Sequence, residues 1–196
     1  MRANPKIGIL AIQGDYQAHA SVLERLGVPY VFVRKPEDLA GLAGIILPGG
    51  ESSTHVKVMT EEGLFEALKK FAADDGAFFG TCAGAILLAR EVHGPAQQSL
   101  ALLDISVLRN GYGRQLASDV HAGPSKLRKE PLEMVFIRAP IIESVGKGVE
   151  ILAEDAGHPV LVQQARVLAS TFHPELTRDT SVHEHFLALV GNHAKS

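Results

Sequence analysis

Cysteine is nearly missing from this chain: Cys82 stands alone among 196 residues. A single thiol excludes an intrachain disulfide and suits a reducing, cytoplasmic compartment. Long apolar runs are missing too. None approaches the ~20 residues a membrane-spanning helix needs, so no membrane association is expected. After Met1, only six apolar-rich residues are strung together before Gln13-Gly14-Asp15, too few for a secretory signal. Excess positive charge is absent. The formal net charge of −3 argues against a nucleic-acid or membrane-surface binder. The one basic cluster, Lys126-Leu127-Arg128-Lys129, lies among Gly and Pro and reads as a solvated loop. No repeat, low-complexity tract or linker interrupts the chain, which reads as a single domain over residues 1–196.

What is there is an alternation of buried strands and helices. Ile7 to Ile12, Tyr30 to Val33 and Gly44 to Leu47 are apolar runs of strand length, and Tyr16 to Leu26 is a helix stopped by Gly27. From about Glu61 to Asp75 apolar residues recur at three and four, a helical period. This order predicts an α/β fold with a mainly parallel sheet covered on both faces. After Gly94-Pro95 the texture changes. Asp104 to Arg109, Leu116 to His121, Glu133 to Arg138, Val149 to Glu154, Pro159 to Val162 and Val167 to Phe172 read as short strands. They suggest an antiparallel extension on one side of the sheet. Val182 to Val190 closes the pattern as a helix.

Ala77 to Ala89, AFFGTCAGAILLA, carries the chemistry. A short apolar strand, then Gly80-Thr81-Cys82-Ala83-Gly84, then a helix-forming run is the pattern of a nucleophile elbow. Small residues two places either side of Cys82 relieve a crowded, strained turn. The helix start favours a thiolate, and the Ala83 N–H is placed to donate to an oxyanion. The bland alternative is a small buried cysteine at a turn.

A cysteine nucleophile needs a base and a group that orients it. Phe172-His173-Pro174-Glu175 follows the strand at Val167 to Phe172. If that strand runs parallel to the elbow strand, His173 emerges on the same rim. In an extended segment, His173 and Glu175 project to the same side, where a carboxylate stabilises an imidazolium. A surface ion pair is the alternative. Leu47-Pro48-Gly49-Gly50-Glu51-Ser52 ends the third strand, and its glycines let backbone N–H groups face a ligand. The Gly50 N–H is the candidate second oxyanion donor, and the Ser/Thr run also suits a helix cap. His183 and His185 lie two apart on a helix and do not face one another, so no metal site is expected there.

Together GTCAG, PGGES and FHPE resemble the class I, triad-type glutamine amidotransferases. AIQGD from Ala11 and RNGYGRQ from Arg109, with FIRAP from Phe136, narrow the likeness to the glutaminase subunit of pyridoxal 5′-phosphate synthase. The resemblance runs from about Lys6 to about Val190. It implies a flavodoxin-like three-layer sandwich and a Cys82, His173 and Glu175 triad that hydrolyses L-glutamine with no cofactor. It also implies glutamine contacts at Gly50, Glu51, Ser52, Arg109, Ile137 and Arg138. From the residues alone, Arg109 and Arg138 equally suit ordinary ion pairs at strand ends. The partner it implies is a (β/α)₈-barrel synthase subunit that receives ammonia. Gln13 and Gly14, expected on the same rim, are the candidates for coupling docking to completion of the oxyanion hole. A glutaminase serving another synthase, a related cysteine hydrolase and a non-catalytic binding module are the rival readings.

Overall fold

The computed structural model describes residues 6–111 and 119–191. β1 (Ile7–Leu10) leads to α1 (Tyr16–Arg25) and β2 (Tyr30–Val33). Past a 3-10 turn at Pro36–Leu39 come β3 (Gly44–Leu47), α2 (Ser52–Glu61) and α3 (Leu64–Ala73). β4 (Ala77–Thr81), α4 (Ala83–Leu88) and β5 (Ala89–His93) follow. Next are β6 (Leu103–Leu108), β7 (Asp119–Gly123), β8 (Leu132–Phe136) and β9 (Ile141–Val145). The last are β10 (Glu150–Asp155), β11 (His158–Gln164), β12 (Val167–Ser170), a 3-10 turn at Pro174–Leu176 and α5 (Ser181–Gly191).

Seven strands form the main sheet in the order β10-β11-β12-β4-β3-β1-β2. β2, β1, β3, β4 and β12 are parallel, while β11 and β10 add on antiparallel. Alternation along each strand feeds two cores. Leu10, Ile45, Leu47 and Phe78 meet Met59 of α2, Leu64 and Leu68 of α3 and Leu87 of α4. Ile7, Ile9, Ile46 and Phe79 meet Ala20 and Leu23 of α1 and Phe186 and Val190 of α5. A strand buried on both faces has no solvent side, which is why these runs are continuously apolar.

The helices and strands depart from the sequence reading in three places. The helix expected at about Glu61 to Asp75 appears as α3, but a further helix, α2, precedes it, the two separated at Gly63, whose φ of 71° is left-handed. Serines, threonines and valines at the front of α2 weaken its helical signature. Second, the antiparallel region is not all one extension. β10 and β11 extend the main sheet, but β5-β6-β9 and β7-β8 form separate small sheets, and β5 pairs β6 in parallel. β5 and β9 are additions to the expected strands: β5 follows α4 with no turn residue between, the backbone simply becoming extended at Ala89. Third, the strand expected at Leu116 to His121 appears as β7, and Leu116 to Ser118 lie outside the described residues. The same holds for Tyr112 to Gln115 of the RNGYGRQ stretch.

The basic loop is not simply solvated: Lys126 pairs with Glu150, and Arg128 Nη1 lies 2.6 Å from Asp179. No helix among the described residues is long and apolar enough to cross a membrane.

Candidate active site

Because β1, β3, β4 and β12 are parallel, their C-terminal ends share one rim. Gln13-Gly14, Gly49-Gly50, Cys82 and His173 follow those four strands in turn. Cys82 takes φ 49° and ψ −105°, a conformation costly for any residue with a Cβ. Its N–H donates to the Ser170 carbonyl at 2.8 Å, anchoring the elbow to β12. The flanking glycines serve distinct contacts. A Cβ on Gly80 would meet the Gly84 backbone, and one on Gly84 would overlap the Leu47 carbonyl oxygen of β3. As the first residue of α4, Ala83 has an N–H with no intrahelical acceptor.

His173 is 3% exposed and its N–H donates to the Val135 carbonyl at 2.8 Å. Its Nδ1 lies 2.7 Å from Glu175 Oε1, a length typical of a charge-assisted bond. The chain there is not extended, as expected from the sequence, but a 3-10 turn. Pro174, with its fixed φ, suits the first position of such a turn, which brings the carboxylate to the ring. The His173 pKa is raised to about 10. Burial opposes the charged ring, but hydrogen bonds to Cys82 and Glu175, and their charges, outweigh it. Burial pushes the Glu175 carboxyl upward, and His173 pulls against that shift. Asp15 Oδ2 lies 3.5 Å from the same Nδ1 and is half exposed.

A cavity of about 460 Å³ opens above this pair, a volume within the usual range for small-molecule sites. Of the site residues singled out in the sequence, all but Glu175 and Gly14 line it. Glu175 sits behind His173. Gly14, at φ 93°, lies so close to the Gly49 carbonyl that a Cβ would overlap it.

The loop after β3 is strapped to the loop after β1. Asp15 N–H donates to the Gly49 carbonyl at 3.2 Å, and Glu51 N–H to Gln13 Oε1 at 2.8 Å. His55 Nε2 bonds the Gln13 carbonyl at 2.9 Å. Since a trans peptide sets C=O and N–H in opposite directions, the Gly50 N–H points away from the β1 loop. Glu51 is the N-cap of α2, and buried Ser52 donates its hydroxyl to Gln97 Oε1 at 3.0 Å. Arg109 reaches Glu51 Oε1 at 3.5 Å, a loose ion pair on the cavity wall. The Ile137 carbonyl faces Cys82 Sγ at 3.9 Å. Arg138 sits at φ 45° and makes no ion pair among the described residues.

A buried sulfur, imidazole and carboxylate beside a small polar cavity can cleave an acyl bond through a thioester. The family model of the SNO glutamine amidotransferase family matches residues 9–192. The chain belongs to that family. It is 57% identical to "Pyridoxal 5'-phosphate synthase subunit PdxT" of Koribacter versatilis, over 95% of this chain and 96% of that one. The protein of the same name from Deinococcus radiodurans is 51% identical, over 96% and 98%. A solved glutamine amidotransferase superposes with a TM-score of 0.89 at 45% identity, covering 94% of this chain and 98% of its own. A chain of PurLQS from Thermotoga maritima shares the fold, with a TM-score of 0.67 at 16% identity and coverage of 98% and 100%.

Within this amidotransferase site, sequence reasoning passed over three residues. Asn110 and Ile86 also line the cavity. Asp15 stands in plain view beside Gln13-Gly14, and its carboxylate is the signal of a partner for a basic group. Ile86 has no such signal, being one more apolar residue of α4. His183 and His185 do turn to different neighbours, His19 and Gln163. His121, which has no ligand-spaced companion in sequence, lies between Asp119 and Asp155.

Proposed function

We propose that this chain hydrolyses L-glutamine to L-glutamate and ammonia and delivers the ammonia to a pyridoxal 5′-phosphate synthase subunit. The observation that carries the reading is the 2.7 Å contact between His173 and Glu175, with His173 and Cys82 together lining the cavity. In this mechanism the Cys82 sulfur attacks the side-chain amide carbon. His173 protonates the departing nitrogen, which leaves as ammonia, and a glutamyl thioester remains. His173 then takes a proton from water, whose oxygen attacks the thioester, and glutamate leaves as the thiol is restored. Glu175 holds the ring in one tautomer and stabilises it when charged.

The N–H groups of Ala83 and Gly50 are the oxyanion donors in this reading, each worth ~3–4 kcal/mol in the transition state. Glu51, Ser52, Arg109, Ile137 and Arg138 hold the free amino acid. Arginine is suited to its α-carboxylate, and carbonyls such as that of Ile137 to its ammonium. We take residues 1–196 as one glutaminase domain and place it in the cytoplasm, where a lone thiol stays reduced. The acceptor chemistry belongs to a separate (β/α)₈-barrel subunit docked over the rim, so that ammonia passes inside the complex. Gln13 is the natural lever: it holds the Glu51 N–H, and pressure on it is transmitted to the Gly49-Gly50 loop.

The test is glutamate and ammonia release by the full chain, with and without the synthase subunit. Activity should be low alone and rise on mixing, and Cys82→Ala should abolish it. Turnover by that variant at the parent rate would sink the mechanism.

A further inference from the structure

Behind the triad lies a second pair of histidines that the mechanism above does not use. His19 of α1 and His183 of α5 are both fully buried. His19 Nδ1 is 2.9 Å from His183 Nε2. On its other side, His19 Nε2 is 3.1 Å from Thr81 Oγ1, the residue just before the nucleophile, and 3.6 Å from Glu175 Oε2. That oxygen is the half of the carboxylate His173 does not touch. It is buried, and no hydrogen-bond partner reaches it among the described residues.

The tautomers follow from which atoms lack a partner. His183 Nδ1 is buried with none. If His19 carried its proton on Nδ1, His183 Nε2 would accept it. His183 Nδ1 would then be a buried, unpaired N–H, and the bare lone pair of His19 Nε2 would face a carboxylate. Both are costly. In the opposite arrangement His183 Nε2–H donates to His19 Nδ1, and His19 Nε2–H points at Thr81 and Glu175. Only a lone pair is then left over. Both rings stay neutral. Burial first, then His183 and His173, hold the His19 pKa well below its ordinary value. Burial, then Arg25, lowers that of His183 to about 3.

We propose that His19 is a positioning residue for the glutaminase triad: its Nε2–H, oriented by His183, holds Glu175 ionised and turned so that Oε1 receives the His173 proton. The 3.6 Å separation is an electrostatic contact, and a few tenths of an ångström convert it into a hydrogen bond. The inference rests on the glutamine-hydrolysing reading of the same site. The ionisable groups facing Glu175 are His173 and His19, with Asp15 and Cys82 beside His173. Arg25, Glu133 and Arg178 surround a separate cavity of about 630 Å³ that Glu175 also lines.

The first test is direct: imidazole nitrogen shifts of His19 in the full chain between pH 6 and 9. A proton on Nε2 throughout is expected, and a proton on Nδ1 overturns the proposal. The second uses the complex with the synthase subunit. His19→Phe should lower kcat for glutamine about tenfold, the scale of one bond to a charged group, with KM within about twofold. Without the donor Glu175 protonates more readily, so the acid limb of kcat should move up by about one pH unit. His19→Gln, whose amide N–H can replace Nε2–H, should return the limb to its parent position. A role in packing alone would leave the limb unmoved in both variants, which also overturns the proposal. An inactive parent complex removes the glutaminase reading, and this inference with it, whereas an active parent with an unmoved limb removes only this inference.

Discussion

Two groups of buried histidine flank one carboxylate and are held in opposite states. On the rim side, His173 meets Glu175 Oε1, Asp15 and Cys82, and its pKa climbs to about 10. On the interior side, His19 and His183 meet mainly each other and a threonine, and both are pushed down. Burial acts in the same direction on all three rings. What differs is whether anionic or hydrogen-bond-accepting groups lie close enough to offset it. The same interior therefore favours the charged form of one ring and, one layer deeper, the neutral form of two others.

The largest test of that contrast removes the sulfur. Cys82→Ala should cut glutamine hydrolysis by on the order of 10⁴-fold or more with circular dichroism unchanged. It should also lower the His173 pKa, read by NMR titration. A ring still charged at the parent pH in that variant would show that the sulfur does not maintain it. Next is Glu175→Gln, which keeps the shape and removes the charge. It should reduce kcat by about 10³–10⁴-fold and lower the His173 pKa as well, while the His19 ring stays neutral.

The third prediction concerns pH and stability. His183 is depressed, so its contribution is complete above about 6.5 and is lost as pH falls toward about 3. His173 is raised, so its contribution is complete below about 6.5 and is lost as pH rises through about 10. Melting temperature should therefore decline on both sides of neutrality, by about 5–10 °C at pH 4.5. His183→Gln should flatten the acid side and leave the alkaline side alone. Equal slopes in parent and variant would break the assignment. The smallest effect is expected from Thr81→Val, which removes one acceptor of the His19 N–H. About 1 kcal/mol of stability should be lost in denaturant melts, with kcat within a few-fold, because Glu175 keeps its donor.

Much of the site can be read from residues because its chemistry is carried by short, constrained segments. Cys82 between Gly80 and Gly84 announces a turn that only small neighbours permit, and the structure gives each glycine a backbone it must clear. The direction of β12 is not legible, since Val167 to Phe172 reads with the antiparallel strands; its parallel pairing with β4 is what brings His173 to the rim. What is not legible depends on distance along the chain. His19 sits among ordinary residues of an amphipathic helix, and nothing local says that His183 will meet it. The 3-10 turn at Pro174–Leu176 passes for an extended segment in the sequence because proline fits both. The small sheets escape the reading because an isolated strand pattern does not name its partner.

β12 has a consequence for biosynthesis. It lies inside the main sheet, between β11 and β4, although it is the last of the described strands. A ribosome therefore completes the sulfur-bearing elbow well before it makes the histidine and glutamate. Until β12 slots in, Cys82 has no His173 beside it and β4 presents an open edge, so on the proposed reading the site is assembled only when that strand is inserted.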